Sequence, residues 1–245
     1  LAIAMLRTLP EYKNAVVIRT RDIEVLKQCT IVVDVGAEYD PARNRFDHHQ
    51  RGFEETMDGY STKLSSAGLI YKHFGREVLR RIFNRKSQES STSSMHIVPT
   101  LDDNVIDKLY KKVYKDFMEH IDGIDNGVAV SDGPINYNVD SHLSSRVRRL
   151  NPSWNLESSN EDMECRFSLA LQLVSTEFFD YVINLVESWW PGRLLVEQAF
   201  DKRSEYHESG EIIVLERYCP WDAHLEDIEA DRNLQGSVKY VLYKD

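Results

Sequence analysis

The sequence predicts an α/β fold: a mostly parallel sheet flanked by helices, followed by a smaller, largely helical α+β domain. Three observations favour it. Helical and strand-like segments alternate through the first part of the chain, residues 30–35 form an almost wholly apolar run, and apolar residues recur at helical spacing over residues 162–190. A strand that is apolar on both faces and lies between helices is typical of a parallel sheet covered on both sides. We place the two domains at residues 1–155 and 156–245.

The individual elements follow from periodicity and from the residues that interrupt it. Helices are expected over residues 1–9, 22–28, 66–83, 102–122, 141–150, 162–190 and 194–203. Strands are expected over residues 15–19, 30–35, 211–215 and 239–243. The Ser-rich stretch 84–100 has no period and predicts a loop.

Composition limits the class of protein. The chain has 245 residues, 42% of them hydrophobic, and a net charge of −10. An acidic chain lacks the basic surface that attracts nucleic acid non-specifically, so a polyanionic substrate must be bound locally. Cys29, Cys165 and Cys219 form no CxxC pair and predict free thiols in a reducing compartment. No apolar run approaches the roughly 18 residues that span a bilayer, so we expect a soluble, intracellular protein without a membrane partner.

Both ends of the chain predict that the natural protein is longer. Residues 1–6 form an apolar run without an initiator Met or a capping residue, which is typical of a helix entered part-way. The chain also stops directly after a predicted strand. We therefore expect further sequence on both sides, with any targeting peptide outside the chain.

Acidic and imidazole side chains occur where a ligand site is expected. Asp34 ends the apolar strand, and open α/β sheets bind ligands beyond the carboxyl ends of their strands. Carboxylate and imidazole ligands suit Mn²⁺ or Mg²⁺ better than a metal that prefers thiolates. Two such ions generate a hydroxide nucleophile and clamp phosphoryl oxygens, with Asp34 as a bridging carboxylate. The further candidates follow the next loop or the helix over residues 102–122: Asp47, His48, His49, Asp122 and Asp125.

Each candidate also has a structural interpretation. A strand-end Asp often caps a turn, adjacent histidines often lie on a surface, and Asp122 could simply end a helix. However, a carboxylate is unfavourable at the negative end of a helix dipole, and a second one beside it favours a nearby cation. Taken together, the positions favour a metal site that hydrolyses a phosphodiester.

Several motifs resemble one known family. They are Val33-Asp34-Val35-Gly36, Phe46-Asp47-His48-His49-Gln50-Arg51-Gly52-Phe53, Thr62-Lys63-Leu64-Ser65-Ser66-Ala67-Gly68-Leu69-Ile70, Asp122-Gly123-Ile124-Asp125-Asn126-Gly127, Leu143-Ser144-Ser145-Arg146-Val147, Arg149-Leu150-Asn151-Pro152-Ser153-Trp154 and Cys219-Pro220-Trp221. The chain is similar to the melanocyte-proliferating-gene (MYG) exonucleases of the DHH phosphoesterase superfamily. That resemblance implies a DHH-type domain, a substrate-binding domain and a two-metal 3′→5′ exonuclease that acts mainly on single-stranded RNA in nucleus and mitochondrion.

The resemblance also implies roles for individual residues. Asp34 would bridge two Mn²⁺ or Mg²⁺ ions, His48 would ligate the second ion, and His49 would face the scissile phosphate. Asp47 would not bind a metal ion itself but would orient a histidine near the site. Asp125 fits the superfamily's fourth motif best, and Asp122 is the competing metal ligand.

Phosphate contacts are expected from residues outside this set. Gln50, Arg51, Lys63 and Ser65 are candidates, although Gln50 and Ser65 would equally serve as helix caps. Arg146 and Arg149 share one helical face in the densest basic cluster of the chain. They form either a phosphate clamp, which suits the forked guanidinium, or ion pairs on a solvated helix.

Two departures from the family pattern leave rival functions open. The family's first metal-binding motif is expected upstream of Leu1, and a Gly-rich substrate-binding segment beyond Asp245, so we expect the isolated chain to be inactive or very weak. The first rival is a phosphoesterase acting on pyrophosphate or a short dinucleotide. The second is a non-catalytic scaffold that retains the fold. A zinc protease or deaminase is disfavoured because HExxH and CxxC are absent.

Overall fold

A computed structural model describes residues 1–90 and 102–243 of the protein. The described residues form two compact units: the first ends at Val182 and the second begins at Ile183. Both contain helices and small sheets. The division of function into domains at residue 155 stays a prediction.

Helices dominate the first unit. Those expected from the sequence are present, and side chains of Asp22 and Asp102 cap the helices that follow them by accepting the backbone N–H of Glu24 and Val105. A π-helical turn, Tyr114–Met118, interrupts the helix expected over residues 102–122. The helices are α1 (Ala2–Leu6), α2 (Ile23–Gln28), α3 (Ser66–Ser90), α4 (Asp103–Val113), α5 (Glu119–Asp125), α6 (Leu143–Arg148) and α7 (Asn160–Asn184).

The prediction of a loop over residues 84–100 is wrong for residues 84–90. Helix α3 continues to Ser90, because the stretch after Phe83 contains Arg, Lys, Gln and Glu, which are good helix formers. The remainder of that predicted loop lies outside the described residues.

The sheet of the first unit is much smaller than the sequence predicts. Strands β1 (Val32–Val33), β2 (Tyr39–Asp40) and β3 (Arg45–Phe46) form one sheet in the order β1-β3-β2. Strand β3 pairs in parallel with β1 and antiparallel with β2. The prediction of a mostly parallel sheet is therefore wrong for the described residues, in which the three strands are short and their directions mixed.

The strand expected over residues 15–19 is also wrong. The segment makes no strand ladder with any described residue, and Val16 and Ile18 are 86% and 57% exposed. β-Branched residues favour a strand only when a neighbouring strand supplies hydrogen bonds and packing. Without such a neighbour the segment stays irregular.

Helices α3 and α4 are joined by an aromatic contact in the core of the first unit. The rings of Tyr71 and Tyr110 stack with centroids 4.8 Å apart, and the Tyr71 hydroxyl donates to the Tyr110 carbonyl oxygen at 2.9 Å. Gly75 leaves room for both rings. A Cβ atom at Gly75 would lie 2.8 Å from Tyr110 and 2.9 Å from Tyr71.

The second unit packs helices against two parallel strands, and the elements expected from residue 194 onward are confirmed. Its core contains Val196, Phe200, Ile213 and Ile228. Pro191 lies just after a π-helical turn within a continuous helical stretch. The elements are a π-helical turn (Leu185–Trp189), α8 (Trp190–Asp201), α9 (Arg203–Tyr206), β4 (Ile212–Leu215), α10 (Asp222–Asp231) and β5 (Tyr240–Tyr243), with β4 and β5 paired in parallel.

One helical stretch, Asn160–Asp201, is long and apolar enough to cross a membrane by length and composition alone. The expectation that no apolar run approaches this length is therefore wrong. A single such helix is weak evidence for a membrane protein, because core helices of soluble proteins meet the same criterion.

We expect the Gly75→Ala variant to be less stable by about 1–3 kcal/mol, because its methyl group overlaps two buried rings in a close-packed core. Urea unfolding followed by circular dichroism measures the change. Gly133→Ala is the control, since a Cβ there meets no atom within 4 Å. Equal stability of the two variants would contradict this description of the α3–α4 contact.

Candidate metal centre

Asp34 directly follows β1 and leaves the strand through a left-handed backbone conformation. Its φ angle is 68°, and that of Ala37 is 52°. These values are uncommon for residues other than glycine and are found at functional sites and tight turns. The Asp34 N–H donates to the Phe46 carbonyl oxygen at 3.1 Å, which fixes the start of the turn. The carboxylate is consequently directed away from the core and is 62% exposed.

Asp47 follows β3 and organises the residues around it. Its Oδ2 atom accepts the Ala37 N–H at 2.6 Å, and Oδ1 accepts the backbone N–H groups of His48 and His49 at 2.8 and 3.2 Å. The Nδ1 atom of His49 lies 2.6 Å from Oδ1. Burial would raise the pKa of Asp47, but hydrogen bonds from His49 and Ala37 lower it below its ordinary value. The buried carboxylate is thus ionised and raises the pKa of His49.

His48 lies at the centre of the cluster. The Ser66 N–H, in the first turn of α3, donates to His48 Nδ1 at 3.1 Å. The Ser66 hydroxyl also lies 3.1 Å from Nδ1, where it can accept a hydrogen bond from a protonated Nδ1. Nε2 is turned toward Asp125, whose Oδ2 atom is 3.2 Å away. Asp34 Oδ1 lies 3.9 Å from Nδ1. The structure therefore brings together Asp34, His48 and Asp125 from three segments of the sequence.

Asp122 lies in α5 with Asp125 but has a different environment. It is fully buried, and its Oδ1 atom accepts the Ser65 N–H at 3.0 Å and the Ser65 hydroxyl at 2.7 Å. Its Oδ2 atom accepts the Tyr114 hydroxyl at 3.1 Å. Burial raises the pKa of Asp122 from 3.8 to about 6, against the effect of these hydrogen bonds. The geometry favours Asp125 over Asp122 as the residue that faces a ligand.

The donor set fits a hard divalent cation. Asp34, Asp47, His48 and His49 each offer a ligand atom, and these four atoms lie within 4.8 Å of one another. Asp47 is fully engaged in hydrogen bonds, which supports the orienting role expected for it. Asp125 is not one of these four residues, but its Oδ2 atom lies 3.2 Å from His48 Nε2. This separation is close to the roughly 3.0 Å between adjacent ligands of an octahedral Mg²⁺ ion. We therefore regard Asp34, His48 and Asp125 as the chain's candidate ligands.

The expected phosphate-binding residues are mostly engaged with protein groups. Lys63 pairs with Glu54 at 2.7 Å, and Arg146 with Glu177 at 2.5 Å. The Ser65 hydroxyl accepts the Gly68 N–H at 3.2 Å, which is the capping alternative raised by the sequence. Arg149 donates to the Asp140 carbonyl oxygen at 2.7 Å. For Arg146 and Arg149 the ion-pair interpretation thus matches the geometry.

Gln50 and Arg51 follow the histidines in the chain. The Oε1 atom of Gln50 is buried and accepts no hydrogen bond from the described residues. Arg51 is exposed. Both stay candidates for contact with a ligand.

A cavity of about 950 Å³ lies beside the cluster in the first unit. Asp34 and Asp125 line it, together with Ser65 and Ser66. Its size is near the upper end for pockets that bind small ligands. Sequence analysis missed the basic side of this cavity, which contains Arg19, Arg21 and Arg148. The signal available was the Arg19-Thr20-Arg21 run at the end of a β-branched segment.

The comparison with known proteins identifies the family. A family model named MYG1_exonuc and described as an uncharacterised protein family (UPF0160) matches residues 1–245. The chain belongs to this family. The MYG1 family includes the proteins to which the motifs show resemblance, so that prediction is confirmed.

Curated members of the MYG1 family match the chain over its whole length. It is 44% identical to the MYG1 exonuclease of Bos taurus, of which it covers 62%, and 42% identical to the MYG1 exonuclease of Homo sapiens, of which it covers 63%. It is 39% identical to a MYG1 protein of Saccharomyces cerevisiae, of which it covers 70%. The chain thus spans a little over three fifths of the mammalian relatives. No solved structure matches it.

We expect Asp122→Ala and Asp125→Ala to affect different properties. Asp122→Ala leaves the Ser65 N–H and the Tyr114 hydroxyl without their buried acceptor and should lower the free energy of unfolding by about 2–4 kcal/mol. Asp125→Ala removes a half-exposed carboxylate and should change stability by less than about 1 kcal/mol while weakening Mn²⁺ binding. Chemical denaturation and calorimetric Mn²⁺ titration measure the two effects. The reverse pattern would show that Asp122 is the ligand.

Stability should depend on pH through Asp122. Because its pKa is raised from 3.8 to about 6, the folded state binds this proton more tightly than the unfolded state. The contribution is complete below about pH 4 and is lost as pH rises through about 6, a change of about 2–3 kcal/mol. Unfolding in EDTA should show the stability of the wild type falling relative to Asp122→Asn between pH 3.5 and 7. A constant difference would contradict the raised pKa.

Proposed function

We propose that the protein is a metal-dependent phosphodiesterase that shortens RNA from its 3′ end, using two Mn²⁺ or Mg²⁺ ions in a site of the DHH type. The observation that carries the proposal is the convergence of Asp34, His48 and Asp125 beside one cavity. Membership of a family whose mammalian relatives are named exonucleases supports hydrolysis of nucleic acid. The resemblance noted in the sequence further supports nuclear and mitochondrial RNA as the substrate.

The proposed ligands belong to segments that are held rigidly. Asp34, His48 and Asp125 would hold a divalent ion, and the resemblance assigns Asp34 to both ions. When bound, such ions lower the pKa of a coordinated water and neutralise charge on the phosphoryl oxygens. The protein's own contribution is orientation: Ser66 holds the His48 ring, and Asp47 holds His49.

His49 is suited to contact the phosphate. The Asp47 carboxylate raises its pKa, so the imidazolium form is favoured beside a substrate. Asp47 occupies Nδ1, and the side chain is 59% exposed, which leaves Nε2 as the donor toward solvent. In this proposal the Nε2–H donates to a phosphate oxygen or protonates the leaving 3′ oxygen.

We expect wild-type protein with Mn²⁺ to shorten a 5′-labelled 20-nucleotide RNA progressively from its 3′ end, and EDTA to abolish the reaction. Asp34→Asn and Asp125→Asn should each lower kcat by about 100-fold or more, because removing even an orienting partner behind a ligand costs about 10- to 100-fold. Asp132→Asn, a change at an exposed loop carboxylate, is the matched control. Gel electrophoresis of time points measures the products.

The assay uses the protein at its full natural length. Hydrolysis of pyrophosphate or a dinucleotide with the 20-mer untouched would replace the exonuclease by a small-molecule phosphoesterase, which the net charge of −10 favours. Absence of any Mn²⁺-dependent hydrolysis would favour a non-catalytic scaffold. Full activity of Asp125→Asn would remove that residue from the site.

A further inference from the structure

The cavity beside the candidate metal centre carries both signs of charge. Asp34 and Asp125 line it, and so do the guanidinium-bearing residues Arg19, Arg21 and Arg148. In a chain whose net charge is −10, three arginines around one cavity are a local concentration of positive charge. A cavity with carboxylates and arginines suits a phosphate substrate whose reacting group meets a cation held by the carboxylates while another anionic group meets an arginine.

Two of these arginines are held by protein groups. Arg19 lies over the ring of Phe167, 4.7 Å from its centroid, and donates to Glu164 at 3.3 Å. Arg148 donates to Asp140 at 2.9 Å. These contacts partly neutralise the charges of Arg19 and Arg148 and hold their side chains in place.

Arg21 differs from both. It is exposed, and within residues 1–90 and 102–243 it makes no hydrogen bond or ion pair with another residue. Its guanidinium therefore keeps all five donors available to a ligand. An arginine with free donors on the wall of a cavity can take both oxygens of a phosphate group through its planar fork.

The backbone on the C-terminal side of Arg21 is fixed, which gives the side chain a defined origin. The Asp22 N–H donates to the Thr20 hydroxyl at 3.0 Å, forming a bond that spans Arg21. Asp22 then caps α2 by accepting the Glu24 N–H at 2.9 Å. The turn thus presents Arg21 from an ordered position at the start of a helix, although its side chain is free.

We propose that Arg21 binds a backbone phosphate of the RNA substrate in this cavity, next to the phosphodiester that reacts at Asp34 and Asp125. The inference rests on the proposed function and names one contact that holds the substrate in it. The contact requires a substrate with a second phosphate beyond the scissile one. Arg21 is therefore a substrate-binding residue that favours oligonucleotides over substrates with a single phosphodiester.

Equilibrium binding tests the contact without hydrolysis. We expect a fluorescein-labelled 20-nucleotide RNA in EDTA to bind Arg21→Gln about 10- to 100-fold more weakly than wild type, as loss of a charge-assisted hydrogen-bonded pair predicts. Arg21→Lys, which keeps the charge but not the fork, should fall between them. The slope of log affinity against log salt should decrease by about 0.7 in Arg21→Gln. Fluorescence anisotropy measures these quantities.

The matched control is Arg7→Gln, a change at an exposed arginine outside the cavity. It should bind RNA as wild type does, and circular dichroism melting should show that neither variant loses stability. If Arg21→Gln melts earlier, Arg21→Lys decides the comparison. Equal affinities of wild type and both Arg21 variants, equal weakening by Arg7→Gln, or no binding by wild type would overturn the contact.

Hydrolysis assays separate this inference from the proposed function. With Mn²⁺, Arg21→Gln should raise KM for the 20-mer about 10- to 100-fold and leave the rate on a dinucleotide, which has a single phosphodiester, nearly unchanged. An unchanged KM for the 20-mer beside Mn²⁺-dependent hydrolysis would refute the role of Arg21 and leave the nuclease standing. Weaker RNA binding by Arg21→Gln without hydrolysis by any variant would refute the nuclease and support the role of Arg21 in RNA binding. Weakened cleavage of pyrophosphate with RNA untouched would assign Arg21 to a small substrate.

Discussion

The candidate centre depends on the hydrogen bonds that the buried Asp122 carboxylate accepts. The carboxylate binds the N–H and hydroxyl of Ser65, the residue immediately before α3. The next residue, Ser66, donates to His48 Nδ1, and the opposite nitrogen of that ring faces Asp125, which lies one turn after Asp122 in α5. These contacts connect helices α3 and α5 to each other and to the loop that contains His48. Gly68 is part of this arrangement, because a methyl group there would overlap the Asp122 carboxylate. An acid beside a metal site therefore acts as a structural anchor.

A second carboxylate fixes the other side of the centre. Asp47 is buried but ionised, because three backbone N–H groups and His49 donate to it. It connects the left-handed turn after β1 to the histidines after β3, so Asp34 and His48 are positioned by one group. Burial raises the pKa of both Asp122 and Asp47, because it disfavours the charged carboxylate. The hydrogen bonds to Asp47 outweigh this effect and lower its pKa, whereas those to Asp122 do not, and its pKa stays raised. The proposed phosphoesterase chemistry uses the exposed acids, while the buried acids hold them in place.

Local signals predicted the helices well and the sheet poorly. Helix α2 was predictable because Asp22 caps it, but a strand over residues 15–19 needs a neighbouring strand that local sequence does not specify. The motif positions of Asp34 and His48 were predictable, whereas the choice between Asp122 and Asp125 was not. These acids are three residues apart on one helix, and only the tertiary positions of Ser65 and Tyr114 separate them. Arg21 was missed for the same reason, because lining a cavity is a property of the folded chain.

We infer that His48 and Asp125 belong to one divalent-cation site. Pulsed electron paramagnetic resonance of Mn²⁺ bound to the protein tests it directly, since imidazole nitrogen coordinated to Mn²⁺ gives a ¹⁴N modulation. We expect this modulation in the wild type, its loss in His48→Ala, and weaker Mn²⁺ binding with the modulation retained in Asp125→Ala. Modulation that persists unchanged in His48→Ala, or Mn²⁺ bound to the wild type without any ¹⁴N modulation, would contradict it.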